Sequence, residues 1–402
     1  MTFDSQTWTH LAAYLGGAIA MGFGAIGAAI GVGYTAAYAN AAISKNIKLS
    51  SNLFKIMLVG QAIAESAAIF ALVTAILLIF IDFGAGPLKA AALLSAGISM
   101  GFGAIGSGIG SGLPGGQVCM GIARQPEVSG RLITTMLIGS AVCQTPAIFA
   151  MVISLMLMFI DFGSAPLKAA ALLGAGLSMG FGAIGSGLGS GVPGKEACLG
   201  VARQPAAAGQ LTTTMLIGSA VCQTPTIFAM VVALILMFVD FGNAPLHPTS
   251  AAFLGAGLST GLAAIGSGYG GGLAAGASCD GIARQPETVG NVITTMLVGQ
   301  AVAQTPSIFG LLVSFILIFK TFPESTTLSA SMALFGAGIS MGFGGIGPGI
   351  GNGMAAESAV RWVARNLEHA GDLMRTMLVG QAVSQSTAIY AMVISLVLIF
   401  VV

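Results

Sequence analysis

A unit of about 80 residues is written five times along this chain, and that repetition limits the fold more than any other feature. Ala-Ile-Gly-Ser-Gly begins at Ala104, Ala183 and Ala264, and Thr-Thr-Met-Leu begins at Thr134, Thr213 and Thr294. Degenerate copies flank these three, giving units at about 1–84, 85–162, 163–241, 242–322 and 323–402. Each unit holds a Gly- and Ala-rich apolar run, a short polar loop, and a second run rich in Ile, Leu, Val, Met and Phe. In the first unit the runs cover about 11–42 and 53–83, around Ser44-Lys45-Asn46. Both exceed the roughly 20 residues that span a bilayer core as a helix.

Composition decides what surrounds these runs. Among 402 residues there are 14 Lys and Arg and 13 Asp and Glu, so 7% are charged while 55% are hydrophobic. Mean hydropathy is +0.94. These values exclude a soluble enzyme and a disordered chain, and a net charge of +1 cannot supply the basic footprint of a nucleic-acid binder. Lipid admits only helices and closed barrels, because backbone polar groups must be paired internally. Long runs without alternation exclude the barrel. The expected fold is therefore an all-α membrane protein with ten transmembrane helices in five tandem hairpins.

Eleven basic residues lie in or beside the within-hairpin loops, and only Lys89, Lys168 and Lys320 fall between hairpins. By the positive-inside rule the loops are cytoplasmic and both termini lie opposite. Residues 1–17 contain no Lys or Arg, so they lack the basic start of a cleavable signal and are expected to stay in the first helix. The five cysteines occupy two recurring positions, Cys119, Cys198 and Cys279 at one and Cys143 and Cys222 at the other, without a CxxC pair. Neither a zinc site nor a disulfide framework is indicated.

The glycines read as packing residues. The second unit carries Gly101, Gly103, Gly106, Gly108, Gly110 and Gly112 in one first helix. Gly101 to Gly106 matches a dinucleotide fingerprint in letters, but it sits inside a membrane span where no strand precedes it. Small residues let helices approach closely in lipid. Glycines two apart point to both flanks, so each first helix is expected to touch a neighbour on either side and form an inner layer. The larger second-run residues would then face lipid. Ordinary pairwise contacts inside a compact bundle are the alternative.

Twelve of the thirteen acidic residues lie near the ends of the runs. Glu65 is the exception, about twelve residues into its helix and near the bilayer midplane. An ionisable group there marks an ion or proton path by default; a permanently protonated structural acid is the bland alternative. Glu357, closer to a loop and on a first helix, is a second candidate. At the positions equivalent to Glu65 the other units carry Gln144, Gln223, Gln304 and Gln385. Glutamine copies the shape of a protonated glutamic acid but cannot release a proton. Pro146, Pro225 and Pro306 each follow a glutamine by two residues and are expected to kink or loosen their helices.

Together these residues resemble the c subunit of F-type rotary ATP synthases, five copies in one chain. Arg124-Gln125-Pro126, Arg203-Gln204-Pro205 and Arg284-Gln285-Pro286 match the family's loop, while the fifth unit has Arg365-Asn366-Leu367 and the first Lys45-Asn46. The segment Gln61-Ala-Ile-Ala-Glu65-Ser66 is similar to the ion-site segment of sodium-type c subunits. The resemblance implies a rotor ring turning against a stator a subunit, with the loops docked on a central stalk. It also implies proton or sodium transport at Glu65, no bound cofactor, and no ATP site in this chain.

Family ion sites lie between hairpins, and sodium-type sites add a first-helix Gln, a Ser hydroxyl and a Tyr. Here the first-helix position in the first unit is Val32, whereas the fifth unit has Asn352 there, with Ser386 and Tyr390 on its second helix. The expected ion-binding set is therefore Glu65, Ser66, Ser386, Tyr390 and Asn352, formed where the fifth hairpin of one copy meets the first of another. Na+ is the candidate metal at Glu65, and the missing ligand at Val32 favours a proton. Two or three copies would close a ring by cyclic symmetry, so each ring carries few carboxylates and suits ATP-driven pumping. Separate single-hairpin c subunits joining the ring would change that count. A structural ring-former with a vestigial Glu65 and a multi-pass proton-coupled transporter or channel are the alternatives. All five repeats run the same way, unlike the inverted repeats of many transporters. A bacterial plasma membrane is the expected location.

Overall fold

In the computed structural model, residues 4–86, 88–242, 244–324 and 327–401 are described. They form twelve α-helices and, among the described residues, no strand: α1 Ser5–Lys45, α2 Ser50–Phe80, α3 Lys89–Arg124, α4 Ser129–Phe159, α5 Pro166–Arg203, α6 Ala208–Cys222, α7 Thr224–Phe238, α8 Leu246–Arg284, α9 Val289–Ala303, α10 Thr305–Phe319, α11 Leu328–Arg365 and α12 Ala370–Val401. The pairs α6–α7 and α9–α10 each make one span, so ten spans are long and apolar enough to cross a membrane. They pair as five tandem hairpins. The start of the N-terminal run, residues 1–3, lies outside the described residues.

Each hairpin turns by the same device. Asn46, Gln125, Gln204, Gln285 and Asn366 leave helical geometry at the end of the first helix, with φ between −147° and −134°. One 3₁₀ turn follows. Pro126, Pro205 and Pro286 begin three of these turns, where a missing N–H removes no helical bond. At the other end, Asp82, Asp161 and Asp240 accept the N–H of Gly84, Gly163 and Gly242 at 2.9–3.0 Å. Those three glycines have φ between +52° and +78°, a conformation that glycine adopts without steric cost. The lysines between hairpins face helix ends: Lys89, Lys168 and Lys320 donate to the carbonyls of Met158, Val239 and Ile399 at 2.8–3.1 Å. A cation there complements the negative end of the helix dipole.

The first helices form one layer, α1 on α3, α3 on α5, α5 on α8 and α8 on α11, while the second helices meet one another far more sparsely. Glycine sets that difference. A methyl group built on Gly108, Gly187 or Gly268 would lie 2.5 Å from the backbone nitrogen of Ala28, Ser107 or Ser186 on the preceding first helix. On the opposite flank, one at Gly106, Gly185 or Gly266 would overlap the carbonyl oxygen of Ile184, Ile265 or Ile346 on the following one. Glycines two apart thus serve both neighbours, as their spacing predicts.

Hydroxyls tie the second helices of the last four hairpins to their own first helices. Ser99, Ser178, Ser259 and Ser340 donate to the carbonyls of Ala150, Ala229, Gly310 and Ala391 at 2.9–3.2 Å. Such bonds hold helices together where lipid removes the hydrophobic drive. Large residues of the second helices point outward: Ile69, Ile76, Ile148, Ile308, Val393 and Val397 are all exposed. Exposure of that kind is a liability in water and the ordinary state of a lipid-facing helix.

Because the close contacts are backbone to backbone, Gly187→Ala should destabilise the purified chain by about 1–3 kcal/mol, the usual cost of overpacking. Gly209→Ala, where nothing lies within 4 Å, should be neutral or slightly stabilising. Thermal unfolding of the two variants in detergent checks the contrast.

Candidate functional site

The five positions of the glutamate–glutamine series lie midway along the second helices, at the boundaries between hairpins. Each boundary has a backbone acceptor two residues before the preceding hairpin's own series position. Gln144 Nε2 donates to the Ile63 carbonyl at 3.0 Å, and Gln223 Nε2 to the Val142 carbonyl at 3.0 Å. Gln304 Nε2 reaches the Val221 carbonyl at 2.8 Å. At the fourth boundary Asn352 Nδ2 reaches the Val302 carbonyl at 3.3 Å and the Gln385 Oε1 at 2.7 Å. Gln144, Gln304 and Gln385 are buried and Gln223 is half-buried.

Glu65 has the same helix position in the first of the described hairpins, and it lies exposed on the free edge of α2. Ser386 and Tyr390 lie at the opposite end of the arc, on the exposed edge of α12; Tyr390 is 65% exposed. Within one chain Glu65 and this pair therefore do not meet. The structure separates two further members of the expected set. Ser66 faces the second hairpin, its hydroxyl donating at 2.6 Å to the Ile63 carbonyl that Gln144 also uses. Asn352 is fully buried against Gln385 and the fourth hairpin, away from the free edge. Glu357 pairs with Arg361 at 2.7 Å one helical turn away, an ordinary i, i+4 ion pair near a loop.

A second ladder runs one turn before the first, and the residue types alone did not mark it. Gln300 Nε2 donates to the carbonyls of Gly271 on its own first helix and Gly218 on the preceding second helix, both at 3.0 Å. Gln381 does the same with Asn352 and Gly299 at 2.9 and 3.0 Å. Gln61 has the own-helix bond, to Val32 at 3.4 Å. The recurrence of Gln at 61, 300 and 381 was the available signal.

The loop residues gather at one end of the arc. Arg124, Arg203 and Arg284 are exposed; Gln125 and Pro126 are exposed, and Gln204, Pro205, Gln285 and Pro286 half-buried. Neighbouring loops are linked: Arg131 donates to the Pro205 carbonyl at 3.1 Å, and Arg203 and Arg284 share Asp280 at 2.7 and 3.1 Å. This end presents a repeated basic rim, while the middle of the arc presents one carboxylate and four neutral counterparts.

Comparison with known proteins agrees with this plan. Residues 15–78, 94–157, 173–236, 254–317 and 335–398 each match the family of ATP synthase c subunits. The K subunit of the A-type ATP synthase of Methanocaldococcus jannaschii is 31% identical over 56% of this chain and 93% of its own length. The ATP synthase c subunit of Alkaliphilus oremlandii is 48% identical over 18% of this chain and 82% of its own length. That of Petrotoga mobilis is 53% identical over 17% of this chain and 71% of its own length. With five matches in register with five hairpins, this chain belongs to the family of ATP synthase c subunits, as a fused rotor component of the rotary ATP synthases.

Proposed function

We propose that the chain is an ion-carrying arc of a rotor ring with a single working carboxylate, Glu65, completed at the seam between copies. The observation that carries this reading is the inequality of five equivalent positions. Hydrogen bonds tie Gln144, Gln223 and Gln304 directly into their boundaries and Gln385 through Asn352, whereas Glu65 is exposed on a free edge.

The repeat specifies the seam. Continued by one hairpin, its register sets Glu65 of one copy against the Val383 carbonyl of a neighbouring copy, as Gln144 stands against Ile63. Ser386 already donates to that carbonyl at 2.7 Å, and Tyr390 lies on the same edge. The second ladder continues likewise, with the Gly380 carbonyl of the neighbour offering Gln61 the partner that Gly299 gives Gln381. Protonated, Glu65 donates to Val383 as a glutamine would. Ionised, it presents oxygen to oxygen, and the carboxylate must leave the joint or take up a cation. That difference makes the position a carrier. The Val383 carbonyl, Ser386 hydroxyl and Glu65 carboxylate are hard oxygens suited to Na+, but Val32 offers none, which favours H+.

Two or three copies close the ring, so two or three ions cross per turn. At 100 mV each yields about 2.3 kcal/mol, little work per turn for a multi-site ATP machine. Such a rotor suits ATP-driven pumping. The basic loop rim fits the central stalk on the cytoplasmic side of a bacterial plasma membrane, and the stator a subunit faces the Glu65 level from the lipid side.

Dicyclohexylcarbodiimide labelling of the purified protein, which attacks protonated membrane carboxyls, should place label at Glu65 and none at Glu357. Suppression by Na+ would make sodium the cargo, and indifference to it a proton. Absence of label at Glu65 at every pH would leave a structural ring-former. Glu65→Gln should abolish ion transport by the assembled complex while the ring still forms. Tyr390→Phe and Ser386→Ala should each weaken ion binding at Glu65 about fivefold, the worth of one hydrogen bond. Unchanged binding in both would remove the seam.

A further inference from the structure

Three prolines lie inside second helices, and nothing in the ion-carrying role accounts for them. A proline has no N–H, so the helical carbonyl four residues back loses its donor. For Pro146, Pro225 and Pro306 those carbonyls belong to Val142, Val221 and Val302. They are the same three that the following hairpin reaches: Gln223 donates to Val142 at 3.0 Å, Gln304 to Val221 at 2.8 Å and Asn352 to Val302 at 3.3 Å. Proline and amide stand in different hairpins, yet each proline releases the acceptor that its neighbour's amide takes.

A kink is not the common effect. The second helix of the second hairpin runs unbroken through Pro146, whereas helix geometry is interrupted at Gln223 and Gln304. The freed and then re-bonded carbonyl is what the three share. The remaining boundaries differ. Ala67 and Thr387 occupy the proline position in the first and last hairpins, so Ile63 and Val383 face a helical N–H four residues on. Each of those carbonyls also accepts a serine hydroxyl, from Ser66 at 2.6 Å and Ser386 at 2.7 Å.

We infer that Pro146, Pro225 and Pro306 are positioning residues that turn three boundaries into fixed amide–carbonyl joints, locking the second to fifth hairpins into one block. In lipid no water replaces a donor that withdraws, so an amide on a proline-freed carbonyl has nowhere to go. At the seam the acceptor keeps its own helix and a serine, and the group facing it is free to leave. Rearrangement is thereby confined to the two boundaries that flank the first hairpin, the one that carries Glu65.

A double-mutant cycle on the purified full-length chain tests this, with the rate of unfolding in mixed SDS micelles as the readout. With Pro225 present, Gln304→Leu orphans the Val221 carbonyl and should speed unfolding about tenfold. In a Pro225→Ala background the restored N–H satisfies Val221, and Gln304→Leu should change the rate less than about twofold. Gln223→Leu is the control. Gln223 sits two residues from Pro225, but its acceptor is Val142, so its effect should be the same in both backgrounds. A merely structural proline would couple to its near neighbour and not across the boundary. Equal effects of Gln304→Leu in the two backgrounds, or stronger coupling of Pro225 to Gln223, would overturn the inference. If a variant does not accumulate, Pro146→Ala with Gln223→Leu, and Gln144→Leu as control, repeats the comparison one hairpin earlier with the same criteria.

Discussion

Everything else in this protein depends on how closely its first helices approach. Backbone meets backbone at Gly108, Gly187 and Gly268, with no room for a methyl group. That pulls five first helices into one tight layer and leaves the second helices, attached by short loops, more widely spaced around it. The second helices, more sparsely packed on one another, are joined across the boundaries by side chains. Side chains of glutamine length join them at the level of the glutamate–glutamine series and again one turn before it.

The joints show how one scaffold accommodates an amide or a carboxylate at equivalent positions. Glutamine and protonated glutamic acid present nearly the same donor to the same kind of carbonyl, so replacing four of five carboxylates leaves the packing undisturbed and removes only the charge. The proline-freed carbonyls strengthen the distinction, because a released acceptor in lipid demands a permanent donor. The one edge where neither substitution occurs is the edge that carries Glu65.

Much of the fold was legible in the residues. The repeat, the two runs per unit and the glycine spacing pointed to five hairpins and the two-layer arrangement, because helix period and lipid thickness leave few alternatives. Glu65 stood out because a charge at midplane is costly. The partners of Glu65 were harder to read. Ser66 and Asn352 are expected beside it, one by adjacency and one by analogy of position; within one chain Ser66 bonds the Ile63 carbonyl and Asn352 bonds Gln385 and Val302. Which side of a boundary a helical residue faces depends on the rotation of two helices about their axes, and sequence order does not encode that. The acceptors at Ile63, Val142, Val221 and Val302 are backbone atoms, and no residue type announces them; the prolines were visible, but their purpose lies on a neighbouring hairpin.

The sequence by itself determined the membrane setting, the five hairpins and the single carboxylate, since each follows from counting apolar residues and charges against the thickness and polarity of a bilayer. Tertiary structure alone decided the pairing across boundaries: Gln144 with Ile63, Gln304 with the carbonyl that Pro225 releases, Asn352 with Val302, and Glu65 alone on an exposed edge. Those relations join residues from 50 to 83 positions apart. They exist only because glycine lets the first helices close to a fixed distance, and that distance sets which amide reaches which carbonyl.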